Sequence, residues 1–150
     1  MPAFHQHRGI DAIAATSAAP LPEPPAQASE FRFEAATLGG LRRFIRRYGC
    51  EAGIAGEAIE NLVTGVNELA TNSVRHGGGR GTAKLWREHE MLICEIRDRG
   101  KLTAPPAGRI KPPTRALTGR GLWLASQICD LIQIRSAPDG TRSRAHVAIA

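Results

Sequence analysis

Apolar residues recur along the chain with two different periods, and each period predicts one type of element. Over 38–48 the apolar side chains are spaced mostly three or four residues apart, which predicts an amphipathic helix. A longer stripe of the same spacing predicts a second helix from about Gly56 to His76, ended by the glycine triplet 77–79. Residues 121–129 repeat the helical pattern near the carboxyl end.

Short apolar runs predict strands in much of the remaining chain. Phe31 and Phe33 flank a polar residue and predict an edge strand. Four further strands are predicted in two consecutive pairs, at 82–86, 92–97, 131–135 and 142–149. Because paired strands between helices are typical of α+β folds, we expect a two-layer α/β sandwich with a mixed or antiparallel sheet covered by helices.

Two segments fall outside this pattern. Residues 1–29 are rich in Ala and Pro and show no period, so we expect a flexible tail before a domain of residues 30–150. Residues 101–118 contain four prolines and are long for a connection within one domain, which is typical of a lid or a binding loop.

The composition of the chain excludes several classes of protein. The chain has 150 residues, 42% of them hydrophobic, which fits one globular domain. It has no apolar run long enough to cross a bilayer and no secretory signal pattern, so we expect a cytoplasmic protein with no membrane partner. Cys50, Cys94 and Cys129 are far apart and form no C-x-x-C pair, so we expect no disulfide framework or zinc site, and buried thiols at Cys94 and Cys129.

The net charge of +6 comes partly from an arginine cluster on the polar face of the first predicted helix: Arg42, Arg43, Arg46 and Arg47. This cluster is either a solvated helix face or a docking surface for an acidic partner. A nucleic-acid partner is disfavoured, because no aromatic pair for base stacking lies among the arginines.

The end of the second predicted helix carries the first candidate site. Glu68, Asn72 and His76 are spaced four residues apart and share one helix face. An amide oxygen such as that of Asn72 can bind Mg²⁺ together with phosphates and water. The carboxylate of Glu68, one turn away, can then orient or deprotonate an attacking hydroxyl or water, which makes it the candidate catalytic residue. Arg75 is a candidate contact to a triphosphate, and His76 to ribose or adenine.

Simpler interpretations exist for the same residues. Glu68 and Asn72 sit at the edge of the apolar stripe and could cap local backbone. Arg75 and His76 lie in the last turn, where cations interact favourably with the helix dipole.

Two glycine-containing motifs follow at wide spacing. In Asp98-Arg99-Gly100, the carboxylate either makes a turn or accepts a hydrogen bond from an adenine amino group, with Gly100 allowing close approach of the backbone to the base. Gly119-Arg120-Gly121 precedes a predicted helix, whose first amides can bind phosphate. The chain has neither the Rossmann nor the P-loop fingerprint.

Read together, the stretch 68–77, the stretch 98–100 and Gly119-Arg120-Gly121-Leu122 resemble the N, G1 and G2 boxes of the GHKL (histidine-kinase-like) ATPases. Within that superfamily, residues from about 30 to 150 are most similar to small bacterial anti-sigma-factor serine/threonine kinases. The resemblance implies ATP bound between the helices and a lid, with Mg²⁺ at Asn72, a base at Glu68 and adenine recognition at Asp98. It also implies nucleotide contacts from the G2 residues 119–122 and from Thr141 on the last strand.

The resemblance further implies a function. Members of the family phosphorylate a serine or threonine of an anti-anti-sigma partner and bind a sigma factor in alternation, so we expect a transcription regulator that uses ATP and Mg²⁺. A homodimer is compatible with this reading. Two departures, Leu102 in the G1 box and Leu117 before the G2 glycines, favour the alternative of a nucleotide-gated partner-binding module with little or no kinase activity.

Overall fold

Six strands form a single mixed sheet in the computed structural model, which describes residues 10–13, 20–100 and 120–149. The strands are Ile10–Ile13 (β1), Ser29–Glu34 (β2), Arg80–Glu88 (β3), Met91–Asp98 (β4), Leu131–Ala137 (β5) and Gly140–Ala148 (β6). Their order across the sheet is β1-β5-β6-β4-β3-β2. Strand β1 pairs with β5 in parallel, and every other pair of neighbours is antiparallel.

The described residues also form three α-helices, Leu38–Ala52 (α1), Gly56–His76 (α2) and Arg120–Ile128 (α3). Helix α1 follows a short 3-10 turn and ends at Gly53, whose φ of +71° is a left-handed conformation that glycine adopts without strain. Helix α2 ends at Gly77, as the glycine triplet predicts. Within the described part of the chain, none of the helices is long and apolar enough to cross a membrane.

The helices pack on one face of the sheet, because alternate residues of each strand are apolar. In β4, Leu92, Cys94 and Ile96 join the core, together with the stripe of α2 that includes Leu62 and Val66. The intervening residues of β4 point to the opposite face, which we call the outer face. That face is largely charged, and the buried Glu95 lies on it.

The predicted fold class is confirmed. Both long helices, the helix after the lid segment and the two strand pairs occur where the sequence predicts them, with strands a few residues longer than their apolar runs. The last two strands are joined by a turn at 138–139. The predicted lid at 101–118 lies outside the described residues, and so do Leu102 and Leu117.

The segment predicted as a tail contains ordered structure in its described parts. Residues 10–13 form β1 at one edge of the sheet, and residues 20–28 lead to β2 at the other edge. Leu21 is buried, and Glu23 makes ion pairs with strand residues. A strand of four residues gives too short a pattern to be recognised from sequence. The domain boundary at residue 30 stays a prediction.

Two of the three thiols are buried, as predicted for Cys94 and Cys129, while Cys50 is exposed. Burial raises the pKa of Cys129 to about 12, and it also raises the pKa of Cys94. Because a thiolate is the reactive form, these two thiols have a structural role in the core.

Candidate functional site

The final turns of α2 carry Glu68 and Asn72 at the edge of its buried stripe. Both side chains are half-buried, while their neighbours Leu69 and Ser73 are buried. Among the described residues, neither Glu68 nor Asn72 has a side-chain hydrogen-bond partner. This argues against the simpler interpretation that they cap local backbone, and it leaves a carboxylate and an amide available one helical turn apart.

The Glu68 carboxylate lies against the first turn of α3. A Cβ built on Gly121 would overlap Oε1 of Glu68, so a larger residue here would displace the carboxylate from this position. The structure therefore brings the predicted catalytic residue beside the helix start that the G2 motif predicts as a phosphate site. Gly119 and the side chain of Arg120 lie outside the described residues, and Leu122 is buried in the core, so its side chain packs rather than faces a ligand.

A second cluster surrounds Asp98 at the end of β4. The hydroxyl of Ser73 on α2 donates a hydrogen bond of 2.6 Å to Oδ2 of Asp98. The backbone N–H of Gly100 donates one of 2.8 Å to Oδ1. The residue is only 9% exposed, so its carboxylate is held in a fixed orientation with little access to water.

Thr141 completes this cluster from the neighbouring strand. It is the β6 residue paired with Asp98, and its hydroxyl donates a hydrogen bond of 2.6 Å to the carbonyl oxygen of Gly100. Gly140, with φ of +143°, approaches the Asp98 backbone so closely that a Cβ would overlap the carbonyl oxygen. The spacing of β4 and β6 is therefore tightly set where Asp98 and Thr141 lie.

Gly77 closes the cluster from the end of α2. Its N–H donates to the carbonyl oxygen of Ser73 over 2.7 Å, and a Cβ at this position would overlap the Asp98 carboxyl group. Arg75 and His76 precede it, and both side chains are exposed. An open cavity of about 1170 Å³ begins at Gly77 and Asp98 and extends towards β2 and β3, away from Glu68.

The structure thus brings six of the predicted residues into two groups joined by α2. Asp98, Gly100 and Thr141 are in mutual contact, and Glu68 meets Gly121 with Asn72 one turn further along. Ser73 bonds to Asp98 and is next to Asn72 in sequence, so α2 contributes to both groups. The roles of these residues in binding stay predictions.

Three contributors were missed from the sequence: Ser73, Gly77 and Gly140. Ser73 lies on the buried stripe of α2, where a hydroxyl requires a buried partner. The glycines were interpreted as a helix stop and a hairpin turn. Their second role, close approach to Asp98, depends on residues far away in sequence and leaves no local signal.

The donor set fits a nucleotide with its metal ion. Within the described ranges, no group of three or more His, Cys, Asp or Glu side chains is placed to hold a metal ion. A single amide oxygen at Asn72 is instead the kind of partial ligand set that Mg²⁺ uses when phosphates and water supply the rest. At Gly77 and Gly121 the missing Cβ lets the carboxyl groups of Asp98 and Glu68 lie directly against the backbone.

A family model described as a histidine kinase-like ATPase domain matches residues 31–146. Among solved structures, the chain is similar to the RsbU and RsbW domains of Rv1364c from Mycobacterium tuberculosis, with a TM-score of 0.59 and 15% sequence identity. That match covers 81% of this chain and 32% of the other, and it concerns the fold alone. No curated protein matches the chain.

Proposed function

The chain belongs to the family of histidine kinase-like ATPase domains, and we propose that it is a serine/threonine protein kinase of the anti-sigma-factor type, acting in the cytoplasm. The observation that carries this proposal is the pairing of two differently built groups on one helix, α2. We call Ser73, Asp98, Gly100 and Thr141 the adenine end. We call Glu68, Asn72 and the first turn of α3 the phosphate end.

At the adenine end, the Asp98 carboxylate accepts a hydrogen bond from the exocyclic amino group of adenine. Ser73 and Gly100 already donate to its two oxygens, which fixes the plane of the carboxylate. Thr141 holds the Gly100 carbonyl, so the backbone that faces the base does not shift. A site built this way favours adenine over bases that lack the amino group.

At the phosphate end, the side-chain oxygen of Asn72 would hold Mg²⁺, which would neutralise charge on the triphosphate. The backbone N–H groups in the first turn of α3 and the side chain of Arg75 bind phosphate oxygens. Glu68 takes the proton from the hydroxyl group of a substrate serine or threonine. At the same time, the oxygen of that hydroxyl group forms a bond to the γ-phosphorus. The bond from that phosphorus to the bridging oxygen breaks at the same time, and ADP leaves.

Two of the four arginines in the α1 cluster form a candidate surface for a partner protein, because the other two are bonded within the chain. Arg42 donates to the Asn67 side chain over 2.7 Å, and Arg46 makes a two-pronged ion pair with Glu60 at 2.8 and 3.0 Å. Arg43 and Arg47 are exposed. An acidic face of an anti-anti-sigma-type protein or a sigma factor suits these two.

The decisive experiment is transfer of labelled γ-phosphate from ATP to candidate anti-anti-sigma proteins, with the product treated by acid and by alkali. A label that survives acid and is lost in alkali marks phosphoserine or phosphothreonine, as the proposal expects. An acid-labile label marks phosphohistidine and would overturn the serine/threonine assignment. Tight ATP binding with partner capture but no transfer would favour the nucleotide-gated module instead.

Nucleotide binding is tested separately by calorimetry with and without Mg²⁺. Asn72→Ala should weaken Mg²⁺-dependent ATP binding about tenfold to hundredfold, since an interaction with a charged group contributes about 1.5–3 kcal/mol. Asn61→Ala is the matched control, because Asn61 lies on α2 about 16 Å along the helix axis from Asn72. Equal affinities for both variants and the wild type would remove Asn72 from the site.

A further inference from the structure

Residues 20–28 lie against the outer face of the sheet, opposite the helices. Leu21 is buried there, and the Pro22 carbonyl oxygen accepts a hydrogen bond from the Arg144 side chain. Arg144 also stacks over Trp86, with 5.1 Å between its guanidinium carbon and the ring centre. This segment, which we call the strap, is therefore attached to the sheet by specific contacts.

The strap reaches the sheet beside two opposed arginines. Arg97 of β4 and Arg142 of β6 are directly paired, and the next pair in register is Asp98 with Thr141. Two like charges directly opposite each other on adjacent strands repel and destabilise the pairing. The two arginines that repel each other therefore lie next to the residues of the adenine end.

Glu23 of the strap binds both arginines at once. Its Oε1 is 2.9 Å from Nη2 of Arg97, and its Oε2 is 2.7 Å from Nη1 of Arg142. The hydrogen bond from Arg142, followed by that from Arg97, lowers the pKa of Glu23 to about 2, so the carboxylate is charged throughout the physiological range.

A second carboxylate continues the network along the strands. Glu95, fully buried, accepts hydrogen bonds from Arg97 and from Nε of Arg144, the latter over 2.7 Å. Glu95 neutralises part of the charge of Arg97 but makes no hydrogen bond to Arg142. Among the carboxylates of the described residues, Glu23 alone bridges the opposed pair.

The adenine end is sensitive to the spacing of β4 and β6 next to this bridge. Gly140 packs against the Asp98 carbonyl without room for a Cβ, and Thr141 holds Gly100 over 2.6 Å. If Arg97 and Arg142 move apart, β4 and β6 separate at the next pair, and both contacts change. Asp98 then no longer has the orientation that Ser73 and Gly100 give it.

We propose that Glu23 is a positioning residue for adenine recognition, acting through the Arg97–Arg142 pair on the Asp98–Thr141 pair. The proposal rests on the function proposed above, since it assumes that Asp98 recognises the adenine amino group. It gives the strap a defined role in nucleotide selection. An exposed ion pair adds little to overall stability, so this role is visible in selectivity more than in melting temperature.

The test measures dissociation constants for ATP and for inosine triphosphate, which carries an oxygen where adenine has its amino group. In Glu23→Gln, the preference for ATP should fall about threefold to tenfold, as expected for coupling between neighbouring residues. Glu60→Gln is the control, because it removes an exposed arginine–glutamate pair on α1 and α2, away from β4 and β6. It should keep the wild-type preference.

A double variant separates positioning from general damage. In Glu23→Gln with Arg142→Gln, the repulsion no longer exists, so the preference for ATP should return towards the wild-type ratio. An unchanged preference in Glu23→Gln, or no recovery in the double variant, overturns the inference while leaving the proposed function intact. A wild type that does not prefer ATP overturns the adenine assignment itself, and with it this inference.

Discussion

The adenine end and the phosphate end of the candidate site are built in opposite ways. At the adenine end, three segments far apart in sequence bond to one another, and Asp98 and Thr141 are nearly inaccessible to water. At the phosphate end, Glu68 and Asn72 project from one helix, and within the described residues their side chains have no hydrogen-bond partner. Folding alone therefore fixes the first group, whereas the second keeps its hydrogen-bonding capacity for a ligand.

This contrast has a consequence for mutation. A substitution at the adenine end removes contacts that also hold the fold, so stability and affinity should fall together. A substitution at the phosphate end removes groups that the folded chain does not use, so activity should fall while stability stays. The four tests below address that difference, from the largest expected effect to the smallest.

The largest effect is expected for Glu68→Gln. Loss of the general base should reduce phosphate transfer about 10²- to 10⁴-fold, with ATP affinity and melting temperature close to wild type. Glu57→Gln, at the exposed start of the same helix, should leave transfer unchanged. Unaltered transfer in Glu68→Gln would show that Glu68 is not the base, and a large loss of stability would contradict the contrast between the two ends.

Gly77→Ala tests the crowding at the adenine end. The added Cβ overlaps the Asp98 carboxyl group, so we expect about 1–3 kcal/mol lower stability and a loss of ATP affinity. Gly56→Ala is the control, since no atom lies within 4 Å of a Cβ there. Chemical denaturation and calorimetry measure the two effects, and a Gly77 variant that behaves like the Gly56 variant would refute the close approach.

Ser73→Ala removes a single hydrogen bond to Asp98. A buried carboxylate oxygen that loses its donor should cost about 1–3 kcal/mol of stability and weaken ATP binding in the same variant. The control is Thr64→Ala on the same helix, whose hydroxyl only bonds the Glu60 carbonyl of its own helix. If affinity falls in Ser73→Ala without any change in stability, the adenine end is not preformed by folding.

The effect that is smallest at neutral pH is acid sensitivity, and it separates the outer face from both ends of the site. Burial, reinforced by Arg144, lowers the pKa of His146 to about 4 from its ordinary 6.5. Below pH 6.5 the His146 side chain is protonated in the unfolded chain but stays neutral in the folded chain. The free energy of unfolding therefore falls as the pH drops towards 4. The loss has a slope of at most about 1.4 kcal/mol per pH unit.

His146→Asn should remove that part of the slope, measured as the free energy of unfolding at several pH values. His89→Asn, at an exposed turn position, should retain it. If the His146 variant keeps the full slope between pH 6.5 and 4, the acid sensitivity arises elsewhere.

Part of the candidate site was predictable because its geometry is local. Glu68 and Asn72 lie on one helix, and a period of 3.6 residues fixes their relation without further information. Asp98 was recognised from its place at the end of a strand before a glycine. Ser73 and Glu23 were not recognised, because each acts on a residue at least 25 positions away along the chain.

The sequence by itself determined the helices α1, α2 and α3, the two strand pairs, the α+β class and the order of the three motifs. Each of these follows from burial patterns repeated within a few residues. Only the tertiary structure decided that β6 lies beside β4, which pairs Thr141 with Asp98, and that the strap crosses the outer face to reach Arg97 and Arg142. Contacts between distant segments depend on how whole layers pack, and no local period encodes them.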